Sequence, residues 1–224
     1  MTRAINETPV NAKRDVLQRF SISTAAAQRM NSRMTDPLAE GLDREAIVLF
    51  SGGIDSTACI HLLRTQGLDV TGLFIDYSQA ALRREEHAVR SVSELLCLPV
   101  DYIRMEGFHN LGSGELQGRN ALLMSVALFW SRGKNCLIGT GIHSGSGYYD
   151  CSSHFLTSMK SLFSAQTDGR VALVSPFEDW TKQDIYDYAT TAQLPLDRTY
   201  SCENGTVPTC GFCASCRDRK ILGC

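Results

Sequence analysis

Apolar runs and amphipathic stretches alternate along the chain from residue 46 onward. Short apolar runs typical of buried strands occur five times, and a stretch with helical periodicity follows each of them. The predicted strands are Ala46–Phe50, Val70–Asp76, Val100–Met105, Cys136–Gly139 and Val171–Ser175. The predicted helices cover 54–66, 79–97, 118–132, 152–163 and 181–193. This alternation predicts an α/β fold whose parallel sheet is covered on both faces and binds ligands at the carboxyl ends of its strands.

A glycine turn joins the first predicted strand to the first helix in the sequence Ser51-Gly52-Gly53-Ile54-Asp55-Ser56. Gly52 and Gly53 allow positive φ and let the backbone come close to a ligand. The helix start that follows presents backbone N–H groups, and its dipole favours a phosphate by up to about 1–2 kcal/mol. A plain tight turn is the alternative. Neither G-x-x-x-x-G-K-[ST] nor G-x-G-x-x-G follows the first strand, which excludes two other nucleotide signatures.

Charged residues occupy other positions where ligand contacts are expected. Asp76 ends the second strand, where its carboxylate either contacts a ribose or a metal or simply caps the turn. Arg119 and Lys182 each lie in the first turn of a predicted helix, where the dipole disfavours a cation. Each therefore indicates an anionic partner such as a phosphate, and a solvent-facing side chain is the alternative.

A long glycine-rich loop follows the fourth strand, from Gly139 to Asp150. Loops at this edge of a parallel sheet frequently carry function. Tyr148 could stack on a flat ring, and Asp150 could hydrogen-bond to it. His143 and His154 are candidate bases, although a lone histidine is more often an ordinary surface or core residue.

Four cysteines near the C-terminus have the spacing C-x7-C-x2-C-x2-C: Cys202, Cys210, Cys213 and Cys216. Four thiolates at such spacing predict a closed tetrahedral site for a structural Zn²⁺ ion. An iron–sulfur cluster or a redox-active cysteine pair is the alternative. The other five cysteines lie mostly in or beside apolar runs, which is typical of inert thiols.

Composition narrows the class of protein further. The 224 residues are 43% hydrophobic, enough for one domain with a small appendage. The net charge of −2 gives no broad polyanion-binding surface, so no nucleic-acid partner is expected. No run of about 18 apolar residues predicts a membrane span, and no secretory segment is recognised at the N-terminus. Because a metal explains the clustered cysteines without disulfides, the sequence predicts a cytoplasmic protein.

The pattern divides the chain into three parts: an N-terminal extension (1–45), an α/β nucleotide-binding domain (46–197) and a C-terminal zinc-binding segment with four cysteines (198–224). Thr8-Pro9 predicts the start of a helix within the extension, and Asp36-Pro37 with Gly41 indicates a break before the first strand. The extension is either loosely packed or a segment that covers the nucleotide site or contacts a partner.

These stretches together resemble the 7-cyano-7-deazaguanine synthase family of queuosine-precursor biosynthesis, a branch of the PP-loop ATP pyrophosphatases. The resemblance runs from about Ala46 to Lys220. It rests on the following motifs: Ser51 to Ser56, Asp76-Tyr77-x-Gln79, Gly118-Arg119-Asn120, Ser146-Gly147-Tyr148-x-Asp150-Cys151, Thr181-Lys182, and Ser201-Cys202 with the Cys-Gly-x-Cys-x-x-Cys end.

The resemblance implies a Rossmann-like PP-loop fold, ATP with Mg²⁺, a structural Zn²⁺ and a homodimer. It also implies the reaction, in which a deazaguanine carboxylate is adenylylated and converted by ammonia first to an amide and then to a nitrile. On this basis we expect catalytic roles for Asp55, Arg119 and Lys182. The expected nucleotide contacts are Ser51, Gly52, Gly53, Ile54, Asp55, Ser56, Phe74, Asp76 and Gly139. The expected substrate contacts are Gln79, Asn120, Tyr148 and Asp150.

The chain departs from the family pattern beside the expected acceptor pocket. Ala80-Ala81 stands where the family usually has Arg-His, and Ser152 stands where it has Arg after the Asp-Cys pair. Three other functions therefore stay open. One is a relative that forms an amide with another amine, including one on a protein. The others are a tRNA thiolase with Cys151 as nucleophile, and a zinc-stabilised module that binds a nucleotide without catalysis.

Overall fold

Five parallel strands form a single sheet in the computed structural model, which describes residues 42–108 and 111–224. The strands are β1 Glu45–Leu49, β2 Asp69–Asp76, β3 Val100–Arg104, β4 Cys136–Gly139 and β5 Val171–Val174. Their order is β3-β2-β1-β4-β5, so β1 pairs with β2 on one side and with β4 on the other. β2 and β3 are added on one side of β1, and β4 and β5 are added on its other side. β1 and β4 therefore form the topological switch point, where a crevice is expected at the carboxyl ends of the two strands.

Six α-helices in the part of the chain that the structure describes cover the faces of the sheet or follow it. They are α1 Ile54–Thr65, α2 Leu82–Leu96, α3 Arg119–Trp130, α4 Ser153–Thr167, α5 Lys182–Thr191 and α6 Ala214–Leu222. The first five match predicted helices, with ends shifted by a few residues. α2 begins three residues later than predicted, because the chain turns at Ser78, where φ is 64°. α6 was not predicted, because the spacing of the four cysteines indicated only a loop-rich metal segment.

Alternate residues along the strands enter two separate cores, as expected for a sheet that is covered on both faces. Val48 and Leu137 pack in the layer with α1, α2 and α5. Leu73 and Ile138 pack in the opposite layer with α3 and α4. The predicted α/β class and parallel sheet are therefore confirmed.

The described part of the chain begins immediately before β1. β1 begins at Glu45, one residue before the predicted boundary, and Leu42 already packs against the core. The predicted helix at Thr8-Pro9 and the predicted break at Asp36-Pro37 lie outside the described residues. Within residues 42–108 and 111–224, no helix has both the length and the apolar character needed to cross a membrane.

Candidate functional site

At Gly52, the turn between β1 and α1 has the left-handed backbone that is typical of anion-binding loops. Gly52 has φ +75°, and a Cβ built there would lie 2.8 Å from the Val89 nitrogen and 2.9 Å from the Ala88 Cβ. Both the conformation and the contact with α2 therefore require glycine. Gly53 instead has an extended backbone, with φ −84° and ψ 170°, and it caps α1. The prediction that both glycines serve positive φ is thus correct for Gly52 only.

Hydroxyl groups surround the same turn. The Ser56 hydroxyl donates to the Gly53 carbonyl at 3.2 Å, and its oxygen lies 3.4 Å from that of Ser51. Thr57 also donates to the Gly53 carbonyl, from its backbone N–H and from its hydroxyl. Ile54 is buried, so its side chain belongs to the core and only its backbone is placed at the helix start. The first N–H groups of α1 have no intrahelical carbonyl to bind, so this helix start suits an anion.

Asp55 and Lys182 form an ion pair beside this turn, although they are 127 residues apart in sequence. Lys182 donates to Asp55 Oδ2 from the first turn of α5, whose start is fixed by a capping box between Thr181 and Asp184. Asp55 Oδ1 is buried and has no hydrogen-bond partner among the described residues. A buried carboxylate oxygen without a partner fits a ligand of a hard cation such as Mg²⁺.

The loop after β4 closes the other wall of the crevice. A Cβ on Gly141 would lie 2.9 Å from the Asp55 carbonyl carbon, so this glycine lets the loop approach α1. The Ser144 hydroxyl donates to the Trp180 carbonyl at 2.7 Å and ties the loop to the start of α5. Sequence reasoning did not single out Gly141; its signal was its position two residues beyond a buried strand.

His143 lies in this loop near Asp55 and Lys182. Its Nδ1 accepts the Gly145 N–H at 3.0 Å, which places the proton of the neutral ring on Nε2. Burial is the main cause that lowers the pKa of His143; the charge of Asp55 opposes this fall, and the charge of Lys182 adds to it. His143 is thus a neutral donor at this site rather than a base through Nδ1. His154, the other candidate base, is exposed and its ring lies 6.3 Å from that of Tyr149.

The remaining nucleotide candidates occupy the carboxyl ends of β2 and β4. Phe74 is buried, with its ring 5.8 Å from that of Tyr102, so the adenine contact expected there would involve its backbone. Asp76 accepts the Ser78 N–H at 3.0 Å and Arg104 Nε at 3.0 Å, as the turn-capping alternative predicts. A Cβ on Gly139 would lie 2.9 Å from the Leu63 side chain, so packing accounts for this glycine.

Gln79, expected to contact the substrate, is held by its own neighbours. Its Oε1 accepts the Tyr77 N–H at 3.0 Å, while Nε2 donates to Glu85 at 2.8 Å and to the Ile75 carbonyl at 3.4 Å. Burial raises the pKa of Glu85, and the hydrogen bond from Gln79 and the charge of Arg119 oppose the rise. Arg119 therefore has an acidic neighbour within the protein, as its helix position predicted.

Asn120 and Asp150 bind each other across the start of α3. The Asn120 N–H donates to Asp150 Oδ2 at 3.2 Å, and its side-chain amide donates to the Asp150 carbonyl at 3.0 Å. Tyr148 is half-buried, and its carbonyl accepts the Cys151 N–H at 3.1 Å. The predicted substrate residues are thus brought to one edge of the sheet, with Asn120 and Asp150 bonded to each other.

The four C-terminal cysteines converge on one point. Their sulfur atoms all lie within 4.8 Å of one another, and those of Cys210 and Cys216 are 3.8 Å apart. Metal–sulfur bonds of about 2.3 Å in a tetrahedron place sulfurs about 3.8 Å apart, so the cluster fits a single metal ion. Burial opposes the Cys202 thiolate, but N–H groups of Cys210 and Asn204 help to lower its pKa to about 5. The donor set can therefore hold a metal ion.

The other five cysteines differ in their exposure. Cys59 and Cys136 are buried, as the apolar runs predicted. Cys97 and Cys224 are exposed, because each lies at or just beyond the end of a helix. Cys151 is half-buried, and burial is the main cause that raises the pKa of its thiol.

The family model and the curated relatives that match this chain indicate the same family. The family model for queuosine biosynthesis protein QueC matches residues 45–117 and 114–221. The chain is 28% identical over 207 residues to the 7-cyano-7-deazaguanine synthase of Prochlorococcus marinus (strain MIT 9515), covering 80% of this chain and 92% of that protein. It is 29% identical over 203 residues to the same-named protein of Campylobacter concisus (strain 13826), covering 79% of this chain and 92% of the relative.

A solved structure shares the fold. The U34-tRNA thiolase NcsA from Methanococcus maripaludis, solved with its [4Fe-4S] cluster, superposes with a TM-score of 0.55 and 11% sequence identity, covering 85% of this chain and 68% of that one. At this identity the likeness concerns the PP-loop α/β architecture alone. The family model, in contrast, covers both the glycine turn Ser51–Ser56 (called the nucleotide turn below) and the cysteine cluster. The chain therefore belongs to the QueC family of queuosine biosynthesis proteins.

Proposed function

We propose that the protein is an ATP-dependent ligase that converts 7-carboxy-7-deazaguanine and ammonia to 7-cyano-7-deazaguanine, releasing AMP and pyrophosphate. The observation that carries the proposal is the ion pair of Lys182 with Asp55 at the mouth of the glycine turn, which leaves Asp55 Oδ1 buried without a partner among the described residues. The names of the relatives supply the substrate class.

The residues of the turn suit adenylylation. The N–H groups at the start of α1 would bind the departing pyrophosphate, and Lys182 would stabilise the negative charge that develops at the α-phosphate. Asp55 would hold Mg²⁺, which when bound supplies Lewis-acid stabilisation of the phosphates. The substrate carboxylate forms a bond to the α-phosphorus as the bond to pyrophosphate breaks.

Two rounds of activation balance the overall reaction. Ammonia attacks the first acyl-adenylate, forms a carbon–nitrogen bond and expels AMP, which gives the amide. The amide oxygen then attacks the α-phosphorus of a second ATP and expels a second pyrophosphate, and loss of AMP and of the two amide protons leaves the nitrile. No covalent bond to the protein is required, so the chain needs only to bind, orient and stabilise charge.

Product analysis tests this proposal. The protein is incubated with ATP, ammonia and 7-carboxy-7-deazaguanine, and the products are identified by mass spectrometry. The expected result is the nitrile, with two AMP formed for each nitrile. Pyrophosphate release without nitrile would contradict it.

A second candidate is a relative that stops at an amide with another amine, including one on a protein. The residues beside the expected acceptor pocket, Ala80, Ala81 and Ser152, favour this second candidate. Ala81 is buried, and Ala80 with Ala81 lies directly beneath Gly205. Ser152 caps α4 by accepting the Phe155 N–H at 3.2 Å instead of presenting a cation. An amide product, or a mass adduct on a partner protein in place of the nitrile, would select this candidate.

The thiolase alternative has little support in the site. Burial raises the pKa of Cys151, so its sulfur is a protonated thiol at neutral pH rather than a ready nucleophile. Cys151→Ser should keep ligase activity, and loss of turnover would favour thiolation.

The non-catalytic module would bind ATP and release no pyrophosphate.

The identity of the metal and the assembly state belong to the same proposal. We assign a structural Zn²⁺ to the four cysteines because their sulfurs converge closely enough for one ion, whereas an iron–sulfur cluster would separate them more widely. Elemental analysis should give one zinc per chain; iron with visible absorbance would contradict this.

The cytoplasmic location and the lack of nucleic-acid and membrane partners remain predictions.

A homodimer is supported by α3. This helix is apolar along most of its length, yet only Met124 and Ala127 are fully buried, and Phe129 is 86% exposed. An apolar helix with so much uncovered surface is typical of an interface. Light scattering on a sizing column should give twice the chain mass of 24.7 kDa.

A further inference from the structure

Residues 199–201 run from the sheet domain to the cysteine cluster along the nucleotide turn. The Tyr200 N–H donates to the Gly52 carbonyl at 3.0 Å. A Cβ on Gly53 would lie 3.6 Å from the Tyr200 carbonyl oxygen, so the segment lines one side of the turn. The Gly52 carbonyl and the Gly53 N–H belong to one planar peptide, and fixing the first therefore fixes the direction of the second.

Arg219 connects this segment to the metal-binding helix α6. Its Nη2 donates to the Thr199 hydroxyl at 2.6 Å, and its Nε donates to the Ser201 hydroxyl at 3.2 Å. α6 also carries Cys216, whose sulfur is part of the metal cluster. The cysteine cluster, α6 and the 199–201 segment therefore form a continuous chain of contacts to the Gly52 peptide.

Gly205 makes a second connection, to the residues just before α2. It lies between Cys202 and Cys210 with φ +67°, and a Cβ there would be 2.5 Å from the Ala80 carbonyl oxygen and 2.9 Å from the Ala81 Cα. The cysteine loop is thus seated directly on the residues that begin α2. α2 in turn contacts Gly52. The cysteine segment therefore constrains the nucleotide turn through two sets of contacts, one through residues 199–201 and one through α2.

We propose that the metal-bound cysteine segment positions the nucleotide turn through Arg219, the Tyr200 N–H and Gly205, so that affinity for ATP depends on the metal. This inference rests on the proposed function, because it concerns how the same turn binds ATP. A metal ion organises a short segment that cannot fold by itself. Without the ion, α6 and the cysteine loop lose their cross-link, and the Gly52 peptide is no longer held for phosphate.

Two arginines of α6 form a matched pair for the first test. Arg219 reaches residues 199–201, whereas Arg217 donates within the cysteine segment, to the Phe212 carbonyl at 2.7 Å. We expect Arg219→Ala to raise the dissociation constant of a non-hydrolysable ATP analogue about tenfold, which is about 1.4 kcal/mol. Arg217→Ala should change it less than about twofold. Calorimetry measures the affinity, and elemental analysis should show one metal per chain in both variants.

Two glycines of the cysteine loop form the second pair. Gly205 and Gly211 both have positive φ, at +67° and +77°, but nothing lies within 4 Å of a Cβ built on Gly211. The backbone strain of an alanine is therefore alike at the two positions, and only Gly205→Ala pushes against the start of α2. We expect Gly205→Ala alone to weaken analogue binding by at least about tenfold. If both members of each pair bind the analogue equally, the proposal is overturned.

Metal removal from the wild-type protein provides a test that does not depend on any variant. The protein is stripped with a chelator, checked by circular dichroism for its helix content, and titrated with the analogue before and after zinc is restored. We expect weaker binding without metal and full recovery with it; unchanged affinity without metal overturns the inference. A wild-type protein that never binds the analogue overturns the proposed function as well. A protein that makes the nitrile while both variant pairs behave alike overturns this inference alone.

Discussion

The nucleotide turn and the acceptor side of the same sheet edge differ in how their polar atoms are used. At the turn, Asp55 Oδ1 is buried without a partner among the described residues, and the first N–H groups of α1 have no intrahelical carbonyl to bind. On the acceptor side, the three hydrogen bonds of the Gln79 amide go to its own turn and to Glu85, and Asn120 bonds to Asp150. The first region is built to receive a ligand, whereas the second is largely satisfied by itself.

This difference indicates which residues act on substrate and which support the site. Open polar atoms in a fixed scaffold stabilise charge without reorganising, and this is where catalysis gains most. Residues whose hydrogen bonds are already complete contribute by holding the turn and the helix starts in place. Substitutions in the two regions should therefore affect different measurements.

The largest effect is expected at Lys182. Lys182→Ala removes the cation beside Asp55 and should reduce pyrophosphate release by about 10²–10³-fold, the usual consequence of losing one charge-stabilising donor. Lys160→Ala is the control, because Lys160 forms a comparable ion pair with Glu178 outside the turn. That control should change the rate less than about twofold. Equal effects of the two substitutions would remove the distinction between the regions.

Gly52→Ala should reduce stability as well as affinity for the ATP analogue. The left-handed backbone costs about 1–2 kcal/mol for alanine, and the contact with Val89 adds overpacking of about 1–3 kcal/mol. Gly67→Ala is the control, since Gly67 has φ +83° with nothing within 4 Å of a Cβ. Urea unfolding should show a free-energy loss about 2 kcal/mol larger for Gly52→Ala. Similar losses would mean that the turn does not press against α2.

Gln79→Leu tests the acceptor side. It leaves the Tyr77 N–H and the Glu85 carboxyl without their partner, which should cost about 1–2 kcal/mol of unfolding free energy. Affinity for the ATP analogue should stay within about twofold, because the turn of Gly52 is not touched. Gln183→Leu, at an exposed amide that donates to Asp187, serves as the control for stability. If Gln79→Leu instead kept full stability and lost substrate binding, Gln79 would be a ligand contact.

The smallest effect concerns pH. Burial raises the pKa of Glu85 above its usual 4.5, so the folded protein holds the proton more tightly than the unfolded chain. Stability should therefore fall as pH rises from about 4.5 through the raised pKa. Glu85→Gln should flatten this part of the stability curve, because the amide side chain does not titrate. Identical curves for the wild type and Glu85→Gln would contradict the assignment.

Features that depend on local order along the chain could be predicted without coordinates. Apolar periodicity placed the five strands and the five helices that follow them, because burial on a strand or a helix face sets a fixed spacing. The glycine turn and the cysteine spacing could be recognised because their chemistry lies within a few consecutive residues. The helix α6 was missed because Ala214–Leu222 is mostly polar and has no continuous apolar face, and Gln79 was placed in a helix that begins only at Leu82.

The meeting of distant groups, in contrast, follows from the three-dimensional arrangement. Lys182 reaches Asp55 only because β1 and β4 are neighbours at the switch point and α5 starts beside them. The Tyr200 N–H reaches Gly52 only because the chain returns across the same edge after β5. Likewise, hydrogen bonding between Asn120 and Asp150 depends on how α3 meets the loop after β4. Periodicity and spacing report burial and local turns, but they carry no information on strand order, and strand order is what brings these residues together.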